Sequence, residues 1–433
     1  MSPLSAAQID EFIKSRPGKI LLDHVYTDEA VRLGDFIYMS PGSSAAYMLV
    51  TAAGRVIVNT GLGYEAPHHR KLFDDVYPGP TRYIITTQGH TDHVGGVAAF
   101  REPGAIYVAN ALNPAVQHDD ERVITRMREW APVWFGRNAE TVRGFIEARP
   151  DVSPAQDIPT PDLMFDERLE FNVGGLQIEL HSGVGETVDG AMVWLPQHRI
   201  ALISNLLGPL FGHFPNLNTI RGQRYRFVEP YLATITKLRD LRPATLITGR
   251  GEPIEGEDLI DAVLERMHDA VSYIHQTTLD GINAGKEVET LVREVTLPDH
   301  LYVGQGYGQV KWGVKTIWET YLGWFHHKAT SELHAVPRAQ TLADLVGLAG
   351  EDAVLELGRM RLEEGRAEEA TALAESVLAH APGNSAATTL LLDCHRELLA
   401  DPVTAENFWE SGWLTHRISL LEQQLGSPTA VAG

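Results

Sequence analysis

The stretch TTQGHTDHVGG (86–96) decides how this chain folds and what it can hold. It leaves a compact apolar run, RYIITT (82–87), that reads as a buried strand. His90, Asp92 and His93 then fall within four residues on the loop after that strand. A loop can turn each of these side chains toward one point, and the Gly95-Gly96 pair lets the chain swing into a helix. Imidazole and carboxylate ligands at this density suit zinc, and also iron or manganese. The plainer alternative is a polar loop with exposed histidines, since the chain has 18 of them. The strand–loop–helix setting weighs against it.

Outward from the loop, short β-type runs alternate with turns and helical stretches. AAYMLVTAAG (45–54) and RVIVNTG (55–61) read as a hairpin around Ala53-Gly54, and AIYVAN (105–110) as a further strand. LQIELHS (176–182), AMVWLP (191–196), RIALIS (199–204) and ATLITG (244–249) form a second group, with an amphipathic helix at 227–241. Two strand groups, each accompanied by helices, predict an α/β layered domain covered on both faces. After Gly256 the pattern turns helical, and 351–365, 367–384 and 385–400 read as successive antiparallel helices. One such helical hairpin cannot bury its own apolar face, so self-association through the C-terminal helices is expected. The expected division is a lead-in at 1–34, a catalytic domain at 35–335 and a helical dimerisation domain at 336–433.

Composition narrows the function classes. A formal net charge of −21 over 433 residues argues against nucleic acid or an anionic membrane as partner. The single cysteine, Cys394, fits a reducing compartment, and no segment reads as a signal peptide or a membrane span. A cytoplasmic protein acting on a small molecule is the expectation. Trp130, Trp134, Phe135, Phe211, Phe214, Tyr225 and Phe227 lie between the strand-like runs, and a subset lining a pocket would favour an apolar substrate body.

The loop at 86–96 resembles the metallo-β-lactamase superfamily motif His-x-His-x-Asp-His-x-Gly-Gly, with Gln88 where the first histidine usually stands. VNTG (58–61) resembles the family's strand-end Asp-x-Gly turn, with Asn59 in the Asp position. VGETVDGAMVWLP (184–196) and ITGRGEPI (247–254) resemble the stretches carrying the later ligands, with Glu186 and Arg250 where most members have His. The glutamate, NLNTIRG (216–222), GYGQVKWGVKTIWETYLGWF (306–325) and the helices from Leu342 resemble the alkyl sulfatase branch. The resemblance implies an αββα metallo-β-lactamase sandwich followed by an all-α dimerisation region.

It also implies a site. Gln88, His90 and Glu186 would form one metal position, and Asp92 and His93 a second that lacks a bridging acid near Asn205. Arg250 cannot ligate, because a guanidinium stays protonated. One or two ions per chain, zinc with iron or manganese as alternatives, therefore remain open. A metal-activated water would cleave a C–O or S–O bond in an alkyl or aryl sulfate, an ester or an activated aryl alkyl ether. Asp92 would orient or deprotonate the water, and Arg221 would bind an anionic group. Arg250 would hold an anion or make a salt bridge to Asp92 or Glu252. The competing expectation is a partly degenerate partner subunit of a hetero-oligomeric hydrolase, against a catalytic homodimer.

Overall fold

The structure, a computed structural model, describes residues 4–150 and 155–426. The outermost ends of the expected first and last domains, 1–3 and 427–433, lie outside the described residues. Residues Met1–Trp318 form one compact unit and Glu319–Gly433 another.

The first unit is built on two sheets. Strands β1 (Val31–Arg32), β2 (Ile37–Ser40), β3 (Ala46–Thr51), β4 (Gly54–Val58), β5 (Thr81–Ile85), β6 (Ile106–Asn110) and β7 (Leu163–Phe165) lie side by side in chain order. The second sheet runs from β8 (Arg168–Val173) through β9 (Leu176–Ser182), β10 (Ala191–Leu195), β11 (Ile200–Ser204) and β12 (Thr245–Thr248) to β13 (Ile254–Glu255).

Alternation along the strands stacks the layers. On β4, Val56 and Val58 point between the sheets, where they join Ile85, Val108, Ile178, Leu180, Val193 and Ile247. Ile57, between them in sequence, points the other way and packs with Phe73 and Phe100 of the covering helices. On the second sheet, Met192, Trp194 and Leu246 face outward against Tyr231, Ile235 and Leu238 of helix Val228–Asp240. Each fully buried aliphatic side chain contributes about 1.5–3 kcal/mol. The result is the expected helix–sheet–sheet–helix order.

Strand polarity then places the functional loops. β4–β5, β5–β6 and β11–β12 are parallel pairs, so their connections must cross over and their carboxyl ends lie at one edge. That edge carries the loops after β4, β5, β11 and β12, the position where layered α/β proteins bind ligands. Asn59 joins the two sheets there. It adopts a positive φ of 59°, a conformation asparagine tolerates. Its Oδ1 accepts the Thr87 N–H at 2.9 Å, and its Nδ2 donates to Ser204 Oγ at 3.1 Å.

The second unit is helical. Helices Arg338–Ala349, Glu351–Glu363, Ala367–His380, Ser385–Ala400, Pro402–Glu406 and Phe408–Gly426 enclose a core of Leu355, Ala370, Ala374, Val377, Leu391 and Cys394. Asn384 caps the helix at 385 by accepting the Ala387 N–H, as its place in the Pro-Gly-Asn turn suggests. No helix among the described residues is long and apolar enough to cross a membrane.

Candidate metal centre

The loop after β5 places its polar side chains at the shared sheet edge. His90 sits as the residue before the short helix Thr91–Val94, in an extended conformation (φ −65°, ψ 149°) that turns its ring away from the helix. Glu186 arrives from the other sheet on the loop before β10, fixed by its N–H to the Leu206 carbonyl at 2.9 Å. Gly185 makes that approach possible: a Cβ there would meet Leu206 O at 1.6 Å.

Two polar clusters result. In the first, Gln88 Nε2 lies 2.8 Å from His90 Nδ1 and 3.1 Å from Glu186 Oε2. The Tyr307 hydroxyl donates to Glu186 Oε1 at 3.2 Å. On the far side of the ring, Gln223 Nε2 lies 2.6 Å from His90 Nε2, and Gln223 Oε1 accepts Arg226 Nη2 at 2.6 Å. In the second cluster, the Ser44 hydroxyl donates to Asp92 Oδ2 at 2.5 Å. Asp92 Oδ2 and Asn205 Nδ2 lie 3.7 and 3.2 Å from His93 Nε2.

Charges at the site are set by burial and neighbours. Loss of water favours protonation of Asp92, but His93, His90, the Ser44 hydroxyl and Arg250 together hold its carboxyl below the usual range. Burial likewise opposes ionisation of Glu186, and His90 and Arg226 overcome it. Burial pushes His93 down, against the pull of Asp92 and Glu186.

Among the described residues no three His, Cys, Asp or Glu side chains form a metal-holding group. Each cluster instead pairs two strong donors with an amide. The first cluster fits an ion. A neutral imidazole has one N–H and one lone pair, yet amide nitrogens approach both nitrogens of His90. Meanwhile Gln88 Oε1 is buried without a hydrogen bond. Rotating that amide relieves both conflicts and leaves Oε1, His90 Nδ1 and Glu186 Oε2 facing one another. An amide oxygen, a carboxylate and an imidazole nitrogen, once the ring proton has left Nδ1, are a donor set that suits a divalent cation.

Arg250 directs its guanidinium at two backbone carbonyls. Its guanidinium donates to Leu21 O at 3.1 Å and to Ser43 O, and no salt bridge to Asp92 or Glu252 forms among the described residues. Arg221, half-buried, stands close enough to bias Arg226 and Tyr307 electrostatically. Gln223, Arg226, Tyr307 and Ser44 were not singled out as site residues from sequence; the polar density of RGQRYRF (221–227) was the available signal. Of the interstrand aromatics, Trp134, Phe211 and Phe214 are core, while Trp130, Phe135 and Phe227 are exposed.

Residues 39–250 match the model of the metallo-beta-lactamase superfamily, and 288–414 that of the alkyl sulfatase dimerisation family. The chain therefore carries a metallo-beta-lactamase superfamily domain followed by an alkyl sulfatase dimerisation domain. It is 27% identical over 323 residues to a linear primary-alkylsulfatase of Pseudomonas sp. (strain ATCC 19151), covering 70% of this chain and 60% of that one. It is 22% identical to an alkyl/aryl-sulfatase of Saccharomyces cerevisiae, over 85% of this chain and 60% of that one. The chain thus spans about 60% of the length of these relatives. A solved inverting sec-alkylsulfatase from Pseudomonas sp. superposes over 95% of this chain and 70% of its own, with a TM-score of 0.78 at 19% identity. That likeness establishes the fold.

Proposed function

We propose that this chain is a metal-dependent hydrolase that cleaves the ester of an alkyl sulfate, giving an alcohol and hydrogen sulfate from the ester and one water. The observation that carries this reading is the convergence of Gln88, His90 and Glu186 on one point, with arginines on the Glu186 side. Those three residues would hold the ion, and zinc is the ion their donor set fits best. When bound, the ion supplies Lewis acidity and lowers the pKa of a water.

The chain's own groups do the rest. Asp92 stays ionised, and the Ser44 hydroxyl fixes its Oδ2, which leaves Oδ1 to orient a water and accept its proton. Arg221 binds the sulfate group, with the fixed charge of Arg226 behind it. Tyr307 holds Glu186 in place through its hydroxyl. A cavity of about 30 Å³ lined by His90, Glu186, Thr187, Gln223 and Arg226 has room for a water or two. Val116 and Val188 at the same cavity offer apolar contact to an alkyl chain. A larger cavity of about 360 Å³ lies on the outer helices, where Arg239 pairs with Asp261 and Arg242 with Glu257, away from this chemistry.

Sulfate release from a linear alkyl sulfate, followed by ion chromatography with the full chain, tests the proposal. Turnover that is abolished by a chelator and restored by metal is expected, with Asp92→Asn slower by about 10²–10⁴-fold. No release by metal-loaded chain would favour the second reading, a partner subunit of a hetero-oligomeric hydrolase. The amides and arginine that stand among the site donors motivate that second reading.

A further inference from the structure

The Ser43-Ser44 pair lies in the loop between β2 and β3 and reaches the site in more than one direction. The Ser44 hydroxyl donates to Asp92 Oδ2 at 2.5 Å, and the Ser43 carbonyl accepts from Arg250. The Ser43 N–H donates elsewhere, to Glu65 Oε1 at 2.9 Å. Glu65 stands just before helix Ala66–Val76 and is fully buried. Its other oxygen, Oε2, accepts the Leu62 N–H at 2.9 Å, from the loop after β4. The Tyr26 hydroxyl, from the lead-in, donates to Oε1 at 3.0 Å. One carboxylate thus joins three segments, and one of them carries Ser44.

A fully buried carboxylate is ordinarily paired with a cation. Among the described residues Glu65 pairs with no lysine or arginine; the basic group in reach is His69, with Nε2 at 3.9 Å from Oε2. Burial pushes His69 down to about 3, so this ring is neutral. Burial pushes the Glu65 carboxyl up to about 7, and the Leu62, Ser43 and Tyr26 donors oppose that rise. Hydrogen bonds from three segments therefore stabilise the charge, which holds those segments in place. His69 adds a second fixed point, because its Nδ1 lies 2.7 Å from Ser40 Oγ, where the loop begins. The loop lies close against both side chains: a Cβ at Gly42 would come within 3.3 Å of Glu65 Cδ and 3.0 Å of His69 Cε1. Since each carboxylate oxygen meets a backbone N–H, an amide in its place turns its own NH2 toward one of them.

Resting on the hydrolase reading above, in which Asp92 orients the water, we propose that Glu65 is a positioning residue whose carboxylate fixes the Ser43 N–H and thereby aims the Ser44 hydroxyl at Asp92. Glu65 acts through Ser44 and stands outside the Gln88, His90 and Glu186 set. Its loss therefore slows turnover and spares metal binding.

Sulfate release by the zinc-loaded full chain, assayed above about pH 8 where Glu65 is ionised, is measured for Glu65→Gln, Ser44→Ala and the double variant. Glu65→Gln is expected to lower kcat by about 10–100-fold, with KM and bound zinc within about twofold of wild type. Because the two residues act in series, the double variant is expected to be no slower than the slower single one. A double variant slowed by the product of the two single effects overturns the inference, as does a folded Glu65→Gln chain with wild-type kcat. Amide hydrogen exchange over residues 41–46, read by mass spectrometry, needs no turnover. It is expected to quicken in Glu65→Gln, and unchanged exchange overturns the inference. A wild-type chain that releases no sulfate overturns the hydrolase reading instead, and exchange then decides whether Glu65 holds the Ser44 loop. Should Glu65→Gln not fold, Tyr26→Phe, which removes one donor to the same carboxylate, takes its place in the same cycle and the same exchange measurement, with the same two outcomes.

Discussion

His90 shows what a single residue contributes here and what it depends on. Its ring is held between two glutamines, and Gln223 is itself held by Arg226, whose other amino group donates to Asn216 O at 2.7 Å. Partners behind a metal ligand fix its orientation, and losing one lowers metal affinity by about 10–100-fold. Gln223→Ala is therefore expected to weaken zinc binding by at least about tenfold in a competition titration with a chromogenic chelator. Unchanged affinity would show that the amide does not orient the ring. The ligand candidates were legible in sequence because four of them sit in one short loop with a distinctive spacing. Gln223 and Arg226 were not, because a loop without periodicity gives no sign of which side chains turn inward. Arg226 is 4% exposed although arginine is seldom buried, and only tertiary partners such as Asn216 explain it.

Elements carry the site by fixing where the loops begin. The parallel strands were legible as apolar runs, and β9, β10 and β11 fall where the pattern placed them. β1 and β7 were not, because two or three residues give no period to read. The helices between Asn113 and Glu147 also escaped, since their polar faces and the internal Pro132 blur the helical pattern. At the loop before β10, Gly185→Ala drives a methyl into Leu206 O and should destabilise the first unit by about 1–3 kcal/mol in chemical denaturation. Stability equal to wild type would mean that the Glu186 loop can move aside. On helix Ser385–Ala400, burial, with Arg417 nearby, pushes His395 down to about 4 from 6.5. The unfolded chain takes up this proton first, so the associated stability is present above pH 6.5 and is lost as pH falls from there toward 4. The loss is on the order of 2 kcal/mol, and His395→Leu should flatten the pH dependence of helical unfolding across that window.

At the scale of the molecule, the layered domain positions the loops of the site, and the helical unit matches an alkyl sulfatase dimerisation family. On helix Arg338–Ala349, Leu342, Leu345 and Leu348 are exposed, the last at 86%. Large exposed apolar side chains on one helix are what an alkyl sulfatase dimerisation domain would bring to a second copy. Sedimentation of the wild-type chain is expected to give a dimer, and Leu345→Glu with Leu348→Glu a monomer. A dimer that survives both changes would place the interface elsewhere. The order of domains was readable because ordered motif matches extend through both. That an amide stands in each cluster was readable too, but the hydrogen-bond partners around the two clusters emerged only in space.

The central claim is that Gln88, His90 and Glu186 form a metal position. Metal content of the purified, zinc-reconstituted full chain beside its His90→Ala variant tests it most directly. Bound zinc is expected in the wild type, and its loss in the variant. A folded wild-type chain that takes up no metal, or a variant that binds as much as wild type, would contradict it.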